Sequence, residues 1–190
     1  MLKPLGRFET SCRDEIIDLV TSFAAAARRL YEADPSRTVF VRIDGDPGSG
    51  KSLITDTARA KLFDETEVPL AKTRLIAHYR GKIGNDEATI SLVNLMGCPL
   101  DIVFGHAGMI SRKREPGFVF FQRCSSYSPT VPSSYHDPDF VFKVSYPDKD
   151  RQSWRFRAFQ ALELDCHKPT TPNRVIEVFA RDGLEDSTLE

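Results

Sequence analysis

The chain has 190 residues, of which 41% are hydrophobic, and this composition suits one globular domain with a single core. Its 26 basic and 27 acidic side chains leave a net charge of −1, which excludes a general electrostatic attraction to nucleic acid or to a membrane surface. No apolar run is long enough to span a membrane and the four cysteines lack C-x-x-C spacing, so we expect a cytoplasmic protein with reduced thiols and no membrane partner.

The first predicted elements are a helix and a strand. Apolar residues recur at helical spacing over residues 11–33, and Ser11 with Asp14 resembles a capping box at the start of this helix. An Asp-Pro-Ser segment at residues 34–36 provides the stop. Residues 38–44 are largely β-branched and aromatic, which predicts a buried strand.

The stretch after this strand, residues 45–52, reads G-D-P-G-S-G-K-S and satisfies the G-x-x-x-x-G-K-[ST] phosphate-binding pattern in full. Residues 51–62 have helical spacing, so the motif stands between a strand and a helix, as a phosphate-binding loop requires. In such a loop the backbone N–H groups and the positive helix end face the anion. Lys51 would reach the β- and γ-phosphates as a catalytic residue, and the Ser52 hydroxyl would hold Mg²⁺. The predicted nucleotide-binding residues are Asp46, Pro47, Gly48, Ser49, Gly50, Lys51, Ser52 and Leu53.

Downstream of the loop helix, short strands dominate the pattern. The elements predicted there are strands at residues 73–79 and 88–95, a short helix opened by Pro99, a buried strand at 118–122, a hairpin of residues 139–146 and 153–161, and a short final helix near 175–179. Because the hairpin must add antiparallel strands to the phosphate-binding layer, we predict an α/β protein with a P-loop NTPase-like three-layer fold and a mixed parallel and antiparallel sheet. We assign residues 1–165 to the nucleotide-binding domain and residues 166–190 to a partly flexible C-terminal extension.

The order of these elements around G-D-P-G-S-G-K-S resembles the TsaE family over about residues 8–162. TsaE proteins are small bacterial P-loop ATPases that assist synthesis of the tRNA base threonylcarbamoyladenosine, and their loop typically reads G-D-L-G-A-G-K-T. This chain differs at Pro47, Ser49 and Ser52, so the resemblance is to a divergent member. It implies ATP or ADP and Mg²⁺ as ligands, TsaB- and TsaD-like proteins as partners, and at most indirect contact with tRNA.

The resemblance also implies an acidic residue at the end of each of two later strands. Alignment by element order places Asn94, within S-L-V-N-L-M, at the first position and Gln122, within V-F-F-Q-R-C, at the second. An amide oxygen can coordinate Mg²⁺, but it brings no charge and cannot act as a base. We therefore expect Asn94 at the metal and Gln122 at the catalytic position, with weak or absent ATP hydrolysis.

Other interpretations remain open at this point. A shifted register would leave the missing acid to Asp44, Asp46, Asp56 or Asp101. A small-molecule kinase would use the same loop, with residues 112–114 as a lid, but it needs an acid beside its acceptor hydroxyl. A non-hydrolysing module would retain the fold in order to bind another protein. A GTPase is disfavoured because the sequence contains no N-K-x-D motif.

Overall fold

The computed structural model describes residues 1–45, 49–66, 76–94, 115–123, 138–146 and 170–184. These residues form seven strands and two helices. In chain order the elements are β1 (Leu2–Cys12), α1 (Arg13–Ala33), β2 (Thr38–Gly45), α2 (Lys51–Leu62), β3 (Ile76–Ile83), β4 (Asp86–Asn94), β5 (Gly117–Arg123), β6 (Phe140–Ser145) and β7 (Thr170–Arg181).

The described strands build one mixed sheet in the order β1-β7-β6-β2-β5-β4-β3. At its centre β2 runs parallel to β5 and β6, and β5 runs parallel to β4. Antiparallel pairs flank this centre: β7 runs antiparallel to both β1 and β6, and β3 runs antiparallel to β4. The four parallel strands therefore end at one edge of the sheet, which we call the carboxyl edge, and β7 begins there. The predicted α/β class with a mixed sheet is confirmed.

Both described helices cover the same face of this sheet. Phe23 of α1 makes edge-to-face contacts with Phe140 and Phe142 of β6, with ring centroids 5.1 and 4.8 Å apart. Ile54 and Leu62 of α2 belong to the same buried cluster. Neither described helix therefore supplies the third layer expected from the sequence. Neither is both long and apolar enough to cross a membrane.

The start of α1 differs from the prediction. The helix begins at Arg13, and its N-cap residue Cys12 makes no side-chain capping hydrogen bond. Ser11, the predicted cap, lies in β1. Thr10 joins the two elements instead, since its hydroxyl oxygen accepts a hydrogen bond of 2.9 Å from the Cys12 backbone N–H and its hydroxyl donates to the Glu15 carboxylate.

Residues 170–181 form β7, so the short helix predicted near residues 175–179 is wrong. Ile176, Val178 and Ala180 alternate into the core, as a half-buried strand requires. Because β7 is hydrogen-bonded to both β1 and β6, this part of the assigned C-terminal extension is an inner strand of the same sheet. Outside the described residues lie the other half of the predicted hairpin, at 153–161, and the helix opened by Pro99.

Tyr31 of α1 provides a test of how the helix layer is fixed to the sheet. Its side chain is fully buried, and its hydroxyl donates a hydrogen bond of 3.1 Å to the Glu87 backbone carbonyl of β4. Burial, and to a lesser extent the negative charge of Asp86, raises the pKa of the Tyr31 phenol. A raised pKa in the folded state means that the neutral phenol stabilises the fold fully below a pH of about 10 and loses this contribution at higher pH.

We therefore expect Tyr31→Phe to lower the free energy of unfolding by about 1 kcal/mol at pH 7, because the hydrogen bond is lost. The difference in free energy of unfolding between the wild type and Tyr31→Phe should narrow as the pH rises above about 10, since only the wild type loses stability by ionising this group. Urea unfolding at pH 7 and at pH 10.5 measures both effects. A difference that stays constant over this range would contradict the assignment.

Candidate functional site

The predicted phosphate-binding loop joins the carboxyl edge of β2 to the N-terminus of α2. A Cβ atom on Gly45 would lie 2.6 Å from the Val144 carbonyl oxygen and 2.7 Å from Ser49 Oγ, so this position has no room for a side chain. Gly50 is the N-cap residue of α2 and has a φ of 101°, a conformation that favours glycine. Outside the described residues lie three of the predicted nucleotide-binding residues, Asp46, Pro47 and Gly48.

The first turn of α2 carries the two polar side chains that the motif singles out. Lys51 is only 4% exposed, and its ammonium group donates a hydrogen bond of 2.7 Å to the Gly45 carbonyl oxygen. Ser52 Oγ donates to the Gln122 side-chain oxygen at 3.3 Å. The Leu53 side chain packs against the hydrophobic core. Its backbone N–H is one of the first in α2 and has no partner within the helix, so this N–H is the group that Leu53 can offer to a ligand. This turn contains no acidic residue to offset the positive end of the helix.

Two buried amides lie side by side at the carboxyl edge. Asn94 at the end of β4 pairs in register with Gln122 of β5, and each is 6% exposed. Gln122 Nε2 donates to Thr55 Oγ1 at 2.8 Å, and the Thr55 hydroxyl donates to the Lys51 carbonyl oxygen at 2.9 Å. Gln122 therefore links β5 to the first turns of α2 and directs its oxygen toward Ser52. The two positions at which the resemblance implies acids are adjacent in the sheet.

Asp44, one of the open alternatives for the missing acid, lies on the other face of the sheet. It pairs in register with Arg123, whereas its neighbour Ile43 pairs with Gln122 on the helix-covered face. Arg123 donates to both Asp44 carboxylate oxygens, at 2.9 and 3.0 Å, and Arg42 donates at 3.1 Å. Because the sheet separates this carboxylate from Ser52, it does not replace an acid beside the loop.

The remaining alternatives are less well placed or lie beyond the described residues. Asp56 lies four residues after Ser52, so it is displaced from Ser52 by about 6 Å along α2, away from the loop. Asp46 and Asp101 are outside the described residues. Among the residues that the structure describes, no group of three or more His, Cys, Asp or Glu side chains is placed to hold a metal ion.

Sequence reasoning missed one residue of this region, Arg174 of β7. Its side chain is 4% exposed, and its Nε and Cζ atoms lie 3.6 and 3.9 Å from the position of a Cβ atom on Gly50. No local motif marks this arginine, because its place beside the loop follows from the pairing of β7 with β1 and β6. The sequence offered one signal for it: a single arginine stands at the start of an alternating run whose apolar residues face the core.

A strand, glycine loop and helix on a mixed sheet with parallel core strands are consistent with a P-loop NTPase-like fold. The chain is similar in structure to YdiB of Bacillus subtilis, a TsaE homologue, with a TM-score of 0.51. The two are 15% identical, and the similarity covers 95% of this chain and 87% of YdiB. At this identity the likeness establishes the fold. No family model matches the sequence, and neither does any curated protein.

Proposed function

We propose that the chain is a TsaE-like protein that binds ATP through its P-loop, hydrolyses it weakly or not at all, and supports threonylcarbamoyladenosine modification of tRNA through TsaB- and TsaD-like partners. One observation carries the proposal. The loop serine Ser52 donates a hydrogen bond to Gln122, so a neutral amide stands where a P-loop hydrolase needs a carboxylate.

The donors at the loop support nucleotide binding. Gly50 turns the chain into α2, whose first N–H groups have no partner within the helix and carry the positive end of its dipole. The Lys51 ammonium lies at the same place. Ser49 Oγ is in a residue that is 1% exposed, and it has no hydrogen-bond partner among the described residues. Backbone amides, an ammonium group and a hydroxyl together fit the phosphate chain of a nucleotide.

The oxygens at the site fit a magnesium ion less completely. Ser52 Oγ and the side-chain oxygens of Gln122 and Asn94 are all neutral, whereas Mg²⁺ prefers anionic oxygen ligands. Phosphate oxygens of the nucleotide would have to supply the negative charge. The missing carboxylate also removes the group that would orient and activate an attacking water, which is why we expect slow hydrolysis.

The proposed partners rest on the resemblance of the sequence to TsaE proteins, and the shared fold with YdiB supports it. In this role the state of the bound nucleotide, ATP or ADP, would govern assembly with the partner proteins. A net charge of −1 gives the chain no general attraction to tRNA, which fits an indirect contribution to the modification. The kinase alternative is weaker, because Asp44 is turned away from the loop and the described amides provide no acid for an acceptor hydroxyl.

Calorimetric titration with ATP and with ADP, each with and without Mg²⁺, tests the proposal. We expect saturable one-to-one binding of both nucleotides at less than about 1 mM. On the same preparation, phosphate release should be well below about 1 per second, the lower end for phosphoryl-transfer enzymes such as kinases. Absence of any binding heat at millimolar nucleotide would refute nucleotide binding, and ordinary turnover would refute impaired hydrolysis. Nucleotide-dependent co-purification with TsaB- and TsaD-like proteins tests the partners.

A further inference from the structure

Arg174 lies in the same row of side chains as the proposed nucleotide site. Residues 174, 176, 178 and 180 alternate along β7, and the last three face the helix-covered core. β7 begins at the carboxyl edge, so Arg174 is the residue of this row nearest the loop. Gln122 approaches the loop from β5 on one side, and Arg174 approaches it from β7 on the other.

The arginine reaches the loop at Gly50, whose φ of 101° favours glycine. Its Nε atom lies 3.6 Å from where a Cβ atom on Gly50 would be, immediately before Lys51. The guanidinium carbon also lies 5.8 Å from the centre of the Tyr146 ring, within the range of a cation–π contact. The loop end of α2 is therefore bordered by two cations, Arg174 and Lys51, both only 4% exposed.

A guanidinium, an ammonium group and the positive end of a helix meet at this place, and each of them can bind an anion. Ser49 provides an independent sign of such an anion. Its residue is 1% exposed, and its hydroxyl has no hydrogen-bond partner among the described residues although it borders the same loop. The guanidinium, the ammonium and the helix N–H groups can only donate hydrogen bonds, and the Ser49 hydroxyl can donate a further one, so an acceptor of high negative charge fits between them.

We propose that Arg174 binds a phosphate oxygen of the nucleotide held by the loop, from the side opposite Gln122. This inference rests on the proposed function and adds a phosphate ligand from outside the motif. A guanidinium donates in a planar fork that matches phosphate oxygens, so it suits this position better than an ammonium group. Arg174 would add to phosphate affinity without accepting a proton, because a guanidinium only donates hydrogen bonds.

The test is calorimetric titration of four proteins with ADP and with inorganic pyrophosphate, which lacks a base. The proteins are the wild type, Arg174→Gln, Arg174→Lys and the control Arg181→Gln. Arg181 is on the same strand but at the other end, where it is 41% exposed and lies 3.7 Å from Asp139. We expect Arg174→Gln to weaken binding of both ligands by about tenfold to a hundredfold, the range for one charge-assisted hydrogen bond. Arg174→Lys should show a smaller loss, and Arg181→Gln none.

A purely structural role for Arg174 predicts a different result. If the role is structural, the affinity of Arg174→Gln for the ligand should depend on salt as strongly as that of the wild type does. If Arg174 contacts the ligand, the loss of its charge should make the affinity less dependent on salt. Equal affinities of wild type and both Arg174 variants would overturn the inference while leaving the proposed function intact. Failure of the wild type to bind either ligand would overturn both. If Arg174→Gln does not fold, Arg174→Lys decides, since wild-type affinity in that variant would show that the guanidinium is not a ligand.

Discussion

Gln122→Glu is expected to raise the rate of ATP hydrolysis by up to about a thousandfold. Two unit charges 4 Å apart interact by about 4 kcal/mol at an effective dielectric of 20, and this energy corresponds to about three decades in rate. Gln122 already directs its oxygen toward Ser52 Oγ, at 3.3 Å, so a carboxylate at this position would lie beside the proposed metal and phosphates. Steady-state phosphate release with saturating ATP and Mg²⁺ measures the effect.

The substitution has a structural cost that the experiment must separate from the effect on rate. Gln122 Nε2 donates to Thr55 Oγ1 at 2.8 Å, and a glutamate cannot make this bond without reorienting the Thr55 hydroxyl. The expected loss of stability is about 1 kcal/mol, which a folded domain tolerates. Gln122→Ala is the control, because it removes the bond to Thr55, and the bond from Ser52 as well, without adding a charge.

Asn94→Asp is the corresponding change on the neighbouring strand, since Asn94 pairs with Gln122 in register. It should mainly strengthen the dependence of ATP binding on Mg²⁺, because the added charge is one that the metal prefers. Gln122→Glu should therefore change mainly the rate of hydrolysis, and Asn94→Asp mainly the affinity for Mg²⁺. The double variant should show both effects. Normal ATP binding with unchanged hydrolysis in both variants would show that the amides do not limit the reaction.

Lys51→Ala is expected to weaken ATP binding by about a thousandfold, which places it beyond detection at millimolar nucleotide. Lys51 is 4% exposed and lies at the N-terminus of α2, so water screens its attraction for a phosphate only slightly. At about 4 Å and an effective dielectric of 20 this attraction is about 4 kcal/mol. Calorimetric titration with ATP measures the loss.

Lys61→Ala is the matched control for this variant. Lys61 lies in the last turn of the same helix, ten residues later and therefore about 15 Å from Lys51 along the axis. The Lys61→Ala protein should therefore bind ATP with the affinity of the wild type. The Lys51 variant loses its hydrogen bond to the Gly45 carbonyl, but it also no longer buries a charge, so we expect it to fold. Wild-type affinity in a folded Lys51→Ala protein would contradict the phosphate-binding role.

The elements around the loop could be predicted because their boundaries are set by local chemistry. The structure places α2 over Lys51–Leu62, as predicted, since Gly50 at a φ of 101° fixes where the helix begins. β2 ends within one residue of the prediction, because its apolar alternation stops at the glycine of the motif. The proximity of Gln122 to Ser52 also followed from the order of elements, since parallel strands end at one edge.

The strands at the other side of the sheet could not be predicted in the same way. β1 contains Pro4 and Gly6, which are unfavourable in strands, and among the described strands it lies at the edge of the sheet and pairs with β7 alone. In β7 the residues near 175–179 fit helical spacing as well as alternation, and pairing with two distant strands decides the outcome. The same long-range pairing brings Arg174 to the loop, which is why no motif indicated it.

A crystal structure with Mg²⁺ and a non-hydrolysable ATP analogue tests the central claim most directly. We predict a triphosphate that contacts the amides at the start of α2 and the Lys51 ammonium. The cation should be held by Ser52 and phosphate oxygens, with Gln122 as the nearest residue at the hydrolytic position. A loop that excludes the analogue, or a carboxylate from elsewhere in the chain bound to the cation beside Ser52, would contradict this prediction.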